Sequence, residues 1–153
     1  MAQEIERKFL VDAAKLPPLP APQIIKQGYI PTQNATVRIR ISNDKAFLTL
    51  KGRTTGLRRS EFEYPIPLED AEAMLDELCM QPYIDKKRYL IDVSGHTWEL
   101  DIFEGENEGL IVAEIELESE DEAFERPEWV TKEVSEDPRY CNAYLVKNPF
   151  MKW

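Results

Sequence analysis

Glu4-Ile5-Glu6-Arg7-Lys8-Phe9-Leu10-Val11 decides how the rest of this chain is read. As a strand it puts Glu4, Glu6 and Lys8 on one face and Ile5, Arg7, Phe9 and Val11 on the other. Neighbours on the charged face stand about 6.6 Å apart. Two carboxylates at that distance repel by about 2.5 kcal/mol at an effective dielectric of ~20, but by only about 0.6 kcal/mol in bulk water. Alone, such a face belongs in solvent. Beside strands of complementary charge it belongs to a site.

Working outward, residues 2–11 form the opening strand, and Pro17, Pro18, Pro20 and Pro22 make the next segment a connecting loop. Residues 23–30 form a second strand. Thr36–Ile41 alternates strictly, with Arg38 and Arg40 opposite Val37, Ile39 and Ile41, and a tight turn at 42–45 pairs it with 46–51 as a hairpin. Residues 58–66 alternate again, setting Arg59, Glu61 and Glu63 against Ser60, Phe62 and Tyr64. From Leu68 to Met80 the apolar period lengthens to three and four, which predicts an amphipathic helix. Residues 83–93 and 97–103 form a hairpin about Ser94-Gly95, and 110–118 form the last clear strand. Ser119 and Glu122 fit a capping box opening a short helix that Pro127 ends. Asp137-Pro138 opens a terminal helix over about 139–146. Seven or eight hairpin-connected strands and a few flanking helices define an α+β chain dominated by an antiparallel sheet.

The 153 residues predict a single domain, 1–153. Acids outnumber bases, 29 to 19, and the net charge of −10 argues against broad binding to nucleic acid or anionic membrane. No apolar run approaches a membrane span, and the N-terminal segment is acidic rather than a signal region, so a cytoplasmic protein is expected. Cys79 and Cys141 have no metal-ligand spacing and read as ordinary small side chains. A single histidine, His96, argues against a histidine-rich metal site or a Ser-His-Asp triad.

Nearly every strand presents two like charges at i and i+2: Glu4/Glu6, Arg38/Arg40, Glu61/Glu63, Lys86/Arg88, Glu99/Asp101 and Glu114/Glu116, with Lys8 and Lys51 as further cations. A salt-bridged solvent face is the simple account of any one pair. If the sheet curls into a barrel with this set inside, the charges need water and counter-charges, because unpaired interior charges cost more than a fold can supply. Arg38, Arg40, Lys51, Lys86 and Arg88 then suit a chain of phosphates. The carboxylate pairs suit a hard divalent cation such as magnesium. No Walker A loop is present.

These segments, in this order, resemble the CYTH superfamily, or triphosphate tunnel metalloenzymes. Glu4-Ile5-Glu6-Arg7-Lys8 resembles its ExExK signature, Gln27-Gly28-Tyr29 its QGY, and Asp137-Pro138-Arg139-Tyr140-Cys141-Asn142 its closing D-x-R-Y-x-N segment. The resemblance implies an antiparallel β-barrel of about eight strands, the triphosphate tunnel, and a Mg²⁺- or Mn²⁺-dependent triphosphatase cleaving inorganic triphosphate. It implies Glu4, Glu6, Glu114 and Glu116 as metal ligands, with Glu61, Glu63, Glu99 and Asp101 as further tunnel carboxylates. Lys8, Arg38, Arg40, Lys51, Lys86, Arg88 and Arg139 would hold phosphates, and Lys8 with Tyr29 would form the catalytic pair. Alternative substrates are nucleoside or thiamine triphosphates. A class IV adenylate cyclase is disfavoured by the poor match of Glu104–Gly109 to that group's glycine-rich segment, and a polyphosphate-binding module without turnover ranks last. The aromatic tail Asn148–Trp153 is expected to pack on the barrel end, leaving a homodimer as the alternative.

Overall fold

A computed structural model describes residues 3–153; Ala2, placed by the sequence in the opening strand, lies outside the described residues. In chain order the elements are β1 (Gln3–Val11), β2 (Gln23–Ile30), β3 (Thr36–Ser42), β4 (Lys45–Lys51), β5 (Arg58–Ile66), α1 (Leu68–Glu77), β6 (Ile84–Val93), β7 (His96–Phe103), β8 (Ile111–Glu116), β9 (Val130–Glu133) and α2 (Asn142–Lys147). Every pairing is antiparallel, as hairpin connections dictate. Asn43, at φ 55°, and Ser94-Gly95, at φ 49° and 86°, supply the left-handed residues that the β3–β4 and β6–β7 turns need.

The sheet runs β5-β4-β3-β2-β6-β7-β8-β1, and β1 closes it by pairing with β5. One edge of β1 lies on β8. The other is shared, with Gln3–Ile5 against β5 and Phe9–Val11 against β9. The result, among the described residues, is a closed eight-stranded barrel with a ninth strand beside β1. Closure places β3 and β2 across the interior from β8 and β1.

Three apolar clusters cover the barrel. On the outside, α1 lays Ala71 and Leu75 against Ile39, Ile41 and Ala46. The segment after β8 brings Phe124 and Trp129 onto Phe9, Trp98 and Ile115. The third cluster is internal: Ile84, Phe103 and Val112 pack against Tyr140, Leu145 and Val146, so α2 plugs one end of the barrel. Gly28 is required by the α1 contact, since a Cβ there would meet Cys79 and Leu75 atoms at 2.8–2.9 Å. Among the described residues no helix is long and apolar enough to cross a membrane.

Three expectations are corrected. The helix predicted after Ser119 is absent; residues 120–129 make turns and extended chain. The Ser119 hydroxyl donates to Asp121 and Glu122 accepts from the Glu118 N–H, closing a turn. At fewer than eight residues before Pro127 a helix is marginal, whereas extended chain buries Phe124 in the aromatic cluster. The final strand of the sheet, β9, has no alternation long enough to be read. The terminal helix is split: Asp137 caps a 3-10 turn over Pro138–Tyr140, Cys141 is extended, and α2 then begins.

Candidate active site

Alternation along each strand carries Glu4, Glu6 and Lys8 inward together, with Tyr29, Arg38, Arg40, Lys51, Arg59, Glu61, Glu63, Arg88, Glu99, Glu114 and Glu116. They line an open cavity of about 250 Å³ inside the barrel. Ser135, Cys141, Asn142 and Ala143 form its floor at the N-terminus of α2. The apolar plug beneath makes this a cup with one mouth rather than a through-tunnel.

Cations and carboxylates concentrate on different walls, although β1 mixes Lys8 with Glu4 and Glu6, and β5 mixes Arg59 with Glu61 and Glu63. β3 carries Arg38 and Arg40 across the interior from β1 and β8 with Glu6, Glu114 and Glu116, and Arg88 on β6 stands at the flank, one strand from β8. On the carboxylate wall the register is unfavourable: Glu6 stands opposite Glu116, and Glu99 opposite Glu114. Burial and the charges of Glu114 and Glu4 raise the Glu6 pKa well above its ordinary value. Glu114 is pulled far down, since Lys8, a hydrogen bond with Glu6, Arg88 and Lys86 outweigh burial. The two carboxyl groups titrate as a pair, with Glu6 pushed up and Glu114 held down. Burial, Glu4, Glu99 and Glu61 also raise Glu116.

The opposite wall has the mirror problem. Burial, followed by Arg38 and Arg88, lowers Arg40 to about 10. Arg38 is buried, donates to Thr49 and Glu63 at 3.3 and 3.4 Å, and leaves its buried Nε–H with no partner. Such an orphan costs about 1–3 kcal/mol unless something accepts from it. A wall of crowded guanidiniums with a spare donor suits an anion, and a crowded carboxylate wall suits a cation.

Tyr29, on β2, stands beside Arg38 on the guanidinium side and faces β1 across the interior. Its hydroxyl accepts from Gln27 Nε2 at 2.7 Å, and Gln27 Oε1 accepts from Arg40 Nε at 2.6 Å, so Arg40 orients the amide that orients the phenol. Lys8 is buried, donates to the Tyr140 carbonyl at 2.9 Å and lies 3.8 Å from Glu114. Burial works to lower the Lys8 pKa, but Glu114, Glu6, Cys141 and Tyr29 raise it above the ordinary lysine value, so Lys8 stays an ammonium.

Three predicted site residues stand elsewhere. Lys86 and Asp101 are fully buried behind the lining. Asp101 accepts from Arg88 at 2.8 and 2.9 Å and from Lys86 at 2.7 Å, and Lys86 also donates to Asn142 at 3.0 Å. They brace Arg88 and tie α2 to the barrel. Arg139 is outside the cup: its side chain is half exposed and forks onto Asp137, while its neighbour Tyr140 turns into the plug. Glu4 lines the cup but is engaged by Lys51 at 3.1 Å and Arg59 at 3.5 Å. Arg59 and Cys141 are lining residues that sequence reasoning passed over. Arg59 sat beside Glu61 and Glu63 on their face, which was the available signal; Cys141 had none.

No three His, Cys, Asp or Glu side chains among the described residues converge to enclose a metal ion by themselves. A hard cation that keeps several waters and takes substrate oxygens needs only one or two carboxylates. The Glu6–Glu114 pair, with Glu116 across from Glu6, fits that requirement.

Comparison with known proteins agrees with this geometry. A model of the CYTH domain matches residues 2–143. The chain belongs to the CYTH family. A CYTH relative from Acetivibrio thermocellus, named inorganic triphosphatase, is 48% identical over 98% of this chain and 97% of its own. One from Nitrosomonas europaea with the same name is 39% identical, covering 94% and 96%. The crystal structure of the inorganic triphosphatase NE1496 superposes with a TM-score of 0.67 at 35% identity, covering 93% of this chain and 96% of that one.

Proposed function

We propose that this CYTH domain is an inorganic triphosphatase, hydrolysing triphosphate to diphosphate and phosphate with Mg²⁺ or Mn²⁺. The observation that carries the reading is the facing of Arg38 and Arg40 on the Glu6/Glu114/Glu116 wall, with Arg88 at its flank, in a one-mouthed cup. The names of the two relatives and of the structural neighbour support it.

Arg38 and Arg40 bind and orient phosphate oxygens, Arg38 through its spare Nε–H. Arg88 is held by Asp101 with its Nη1 on the partly exposed Glu99, a contact that phosphate oxygens replace. Lys51, now on Glu4 and Glu61, serves the mouth. Glu6 and Glu114, with Glu116, hold the divalent cation, which supplies charge neutralisation for the departing diphosphate when bound. Lys8 remains protonated beside Tyr29, whose phenol oxygen, oriented by Gln27, takes the proton of the attacking water. The apolar plug keeps bulk water from the floor of the cup.

The test supplies inorganic triphosphate, ATP and long polyphosphate with Mg²⁺ or Mn²⁺ and identifies the products. Phosphate and diphosphate released from triphosphate faster than phosphate from ATP is the expected result. Cyclic AMP, or binding without product, would overturn the assignment.

A further inference from the structure

We infer that the outer face of α2 carries a second ligand site, separate from the cup, that takes a nucleoside phosphate. Arg139, Tyr144, Lys147, Asn148, Lys152 and Trp153 surround a depression of about 430 Å³ there. That volume is within the roughly 300–1,000 Å³ typical of small-molecule sites. The inference does not depend on the triphosphatase reading.

Two features set this depression apart. The first is charge: in a chain of net −10 its lining holds three cations and no carboxylate side chain. Arg139 is forked onto Asp137, but neither Lys147 nor Lys152 has an ion-pair partner among the described residues. The second is a preformed aromatic surface. Trp153 is 46% exposed yet fixed, its indole N–H donating to the Asn148 carbonyl at 2.9 Å and its ring edge-on to Tyr140 and Phe150 at 5.3 and 5.0 Å. The Arg139 guanidinium lies 5.2 Å from its centroid. An anchored ring forfeits little entropy when a base stacks on it, and Tyr144, 36% exposed, adds a second aromatic. Bare phosphate would use the cations and leave the indole idle; a nucleoside alone would do the reverse. A nucleoside phosphate uses both.

Tryptophan emission tests this. Trp98 and Trp129 are buried and Trp153 is half exposed, so ligand-induced quenching reads the proposed site rather than the cup. ADP should quench saturably below about 1 mM, and adenosine and inorganic diphosphate should each bind at least about tenfold more weakly. The double variant Lys147→Ala/Lys152→Ala should weaken ADP by about tenfold or more while leaving triphosphate hydrolysis unchanged. Absence of saturable quenching up to about 1 mM, equal binding of diphosphate, or an unaltered ADP titration in the double variant would each overturn the site.

Discussion

Replacing Asp101 by Asn asks whether the charged interior is braced from behind. The carboxylate is fully buried, and three hydrogen bonds at 2.7–2.9 Å reach it from Arg88 and Lys86. Burial works to raise its pKa, but the Arg88 and Lys86 charges and the Arg88 hydrogen bonds win and lower it from 3.8 to about 2. At about 1.36 kcal/mol per pKa unit, that depression contributes about 2–3 kcal/mol at neutral pH. Asn keeps the shape and removes the charge, and stripping one partner from a buried pair costs about 3–5 kcal/mol. Arg88 cannot shed its proton. Lys86 can: burial, against the pull of Asp101, and the charges of Arg88 and Arg40 already hold it down to about 7. That release keeps the loss near about 3 kcal/mol. In a chain of this length each kcal/mol moves Tm by roughly 2–4 °C, so Asp101→Asn should melt about 6–12 °C lower. The pH dependence has a definite sign. A carboxylate with a depressed folded pKa stabilises fully above its unfolded value and loses that stabilisation as pH falls through the folded one. The gap between wild type and variant should therefore be widest between about pH 4 and 7, narrow toward about pH 2 as Asp101 is protonated, and shrink above about pH 7 as Lys86 loses its charge. Thermal melts followed by circular dichroism measure it. A gap under about 2 °C at neutral pH, or one that persists unchanged into acid, would falsify the bracing role.

Four further outcomes are expected. Tyr29→Phe should lower kcat at least about tenfold and leave KM within about threefold in steady-state assays; an unchanged kcat removes the phenol from proton transfer. Triphosphate or sulfate should raise the wild-type Tm by relieving the guanidinium crowding that holds Arg40 near 10, and Arg40→Gln should lose most of that rise in a thermal-shift titration. Glu6→Gln should abolish turnover, whereas Arg7→Ala should keep kcat within about twofold, because Arg7 faces outward onto Glu133 and Phe124. Gly28→Ala should cost about 1–3 kcal/mol in urea unfolding, since the added methyl meets Cys79 and Leu75 at 2.8–2.9 Å.

Much of the barrel was legible because period-two alternation is a local property. β2 and β5 have the bounds read from sequence, and most other strands differ by a residue or two. The cap at Asp137 was legible for the same reason, but the length of the helix after it was not, because the break at Cys141 answers to packing of Tyr140 and Leu145 in the plug. The capping box at Ser119 misled because its side-chain bonds form equally well in a turn, and burial of Phe124 decided between the two.

Local alternation alone settles which faces carry charge. In Glu4-Ile5-Glu6-Arg7-Lys8 the alternation separates Glu4, Glu6 and Lys8 from Ile5 and Arg7, whatever the strand pairs with. Only the tertiary structure decided what those charges do. Closure through β1–β5 turned the charged faces inward and put the guanidinium wall across from the carboxylate wall, a relation between strands far apart in the chain. It also sorted residues of identical local pattern by depth. Arg88 lines the cup, while Lys86, two residues away on the same face, lies under the plug against Asp101 and Asn142. Position along a strand axis relative to a helix that begins 56 residues after Lys86 is set by packing, and alternation carries no information about it.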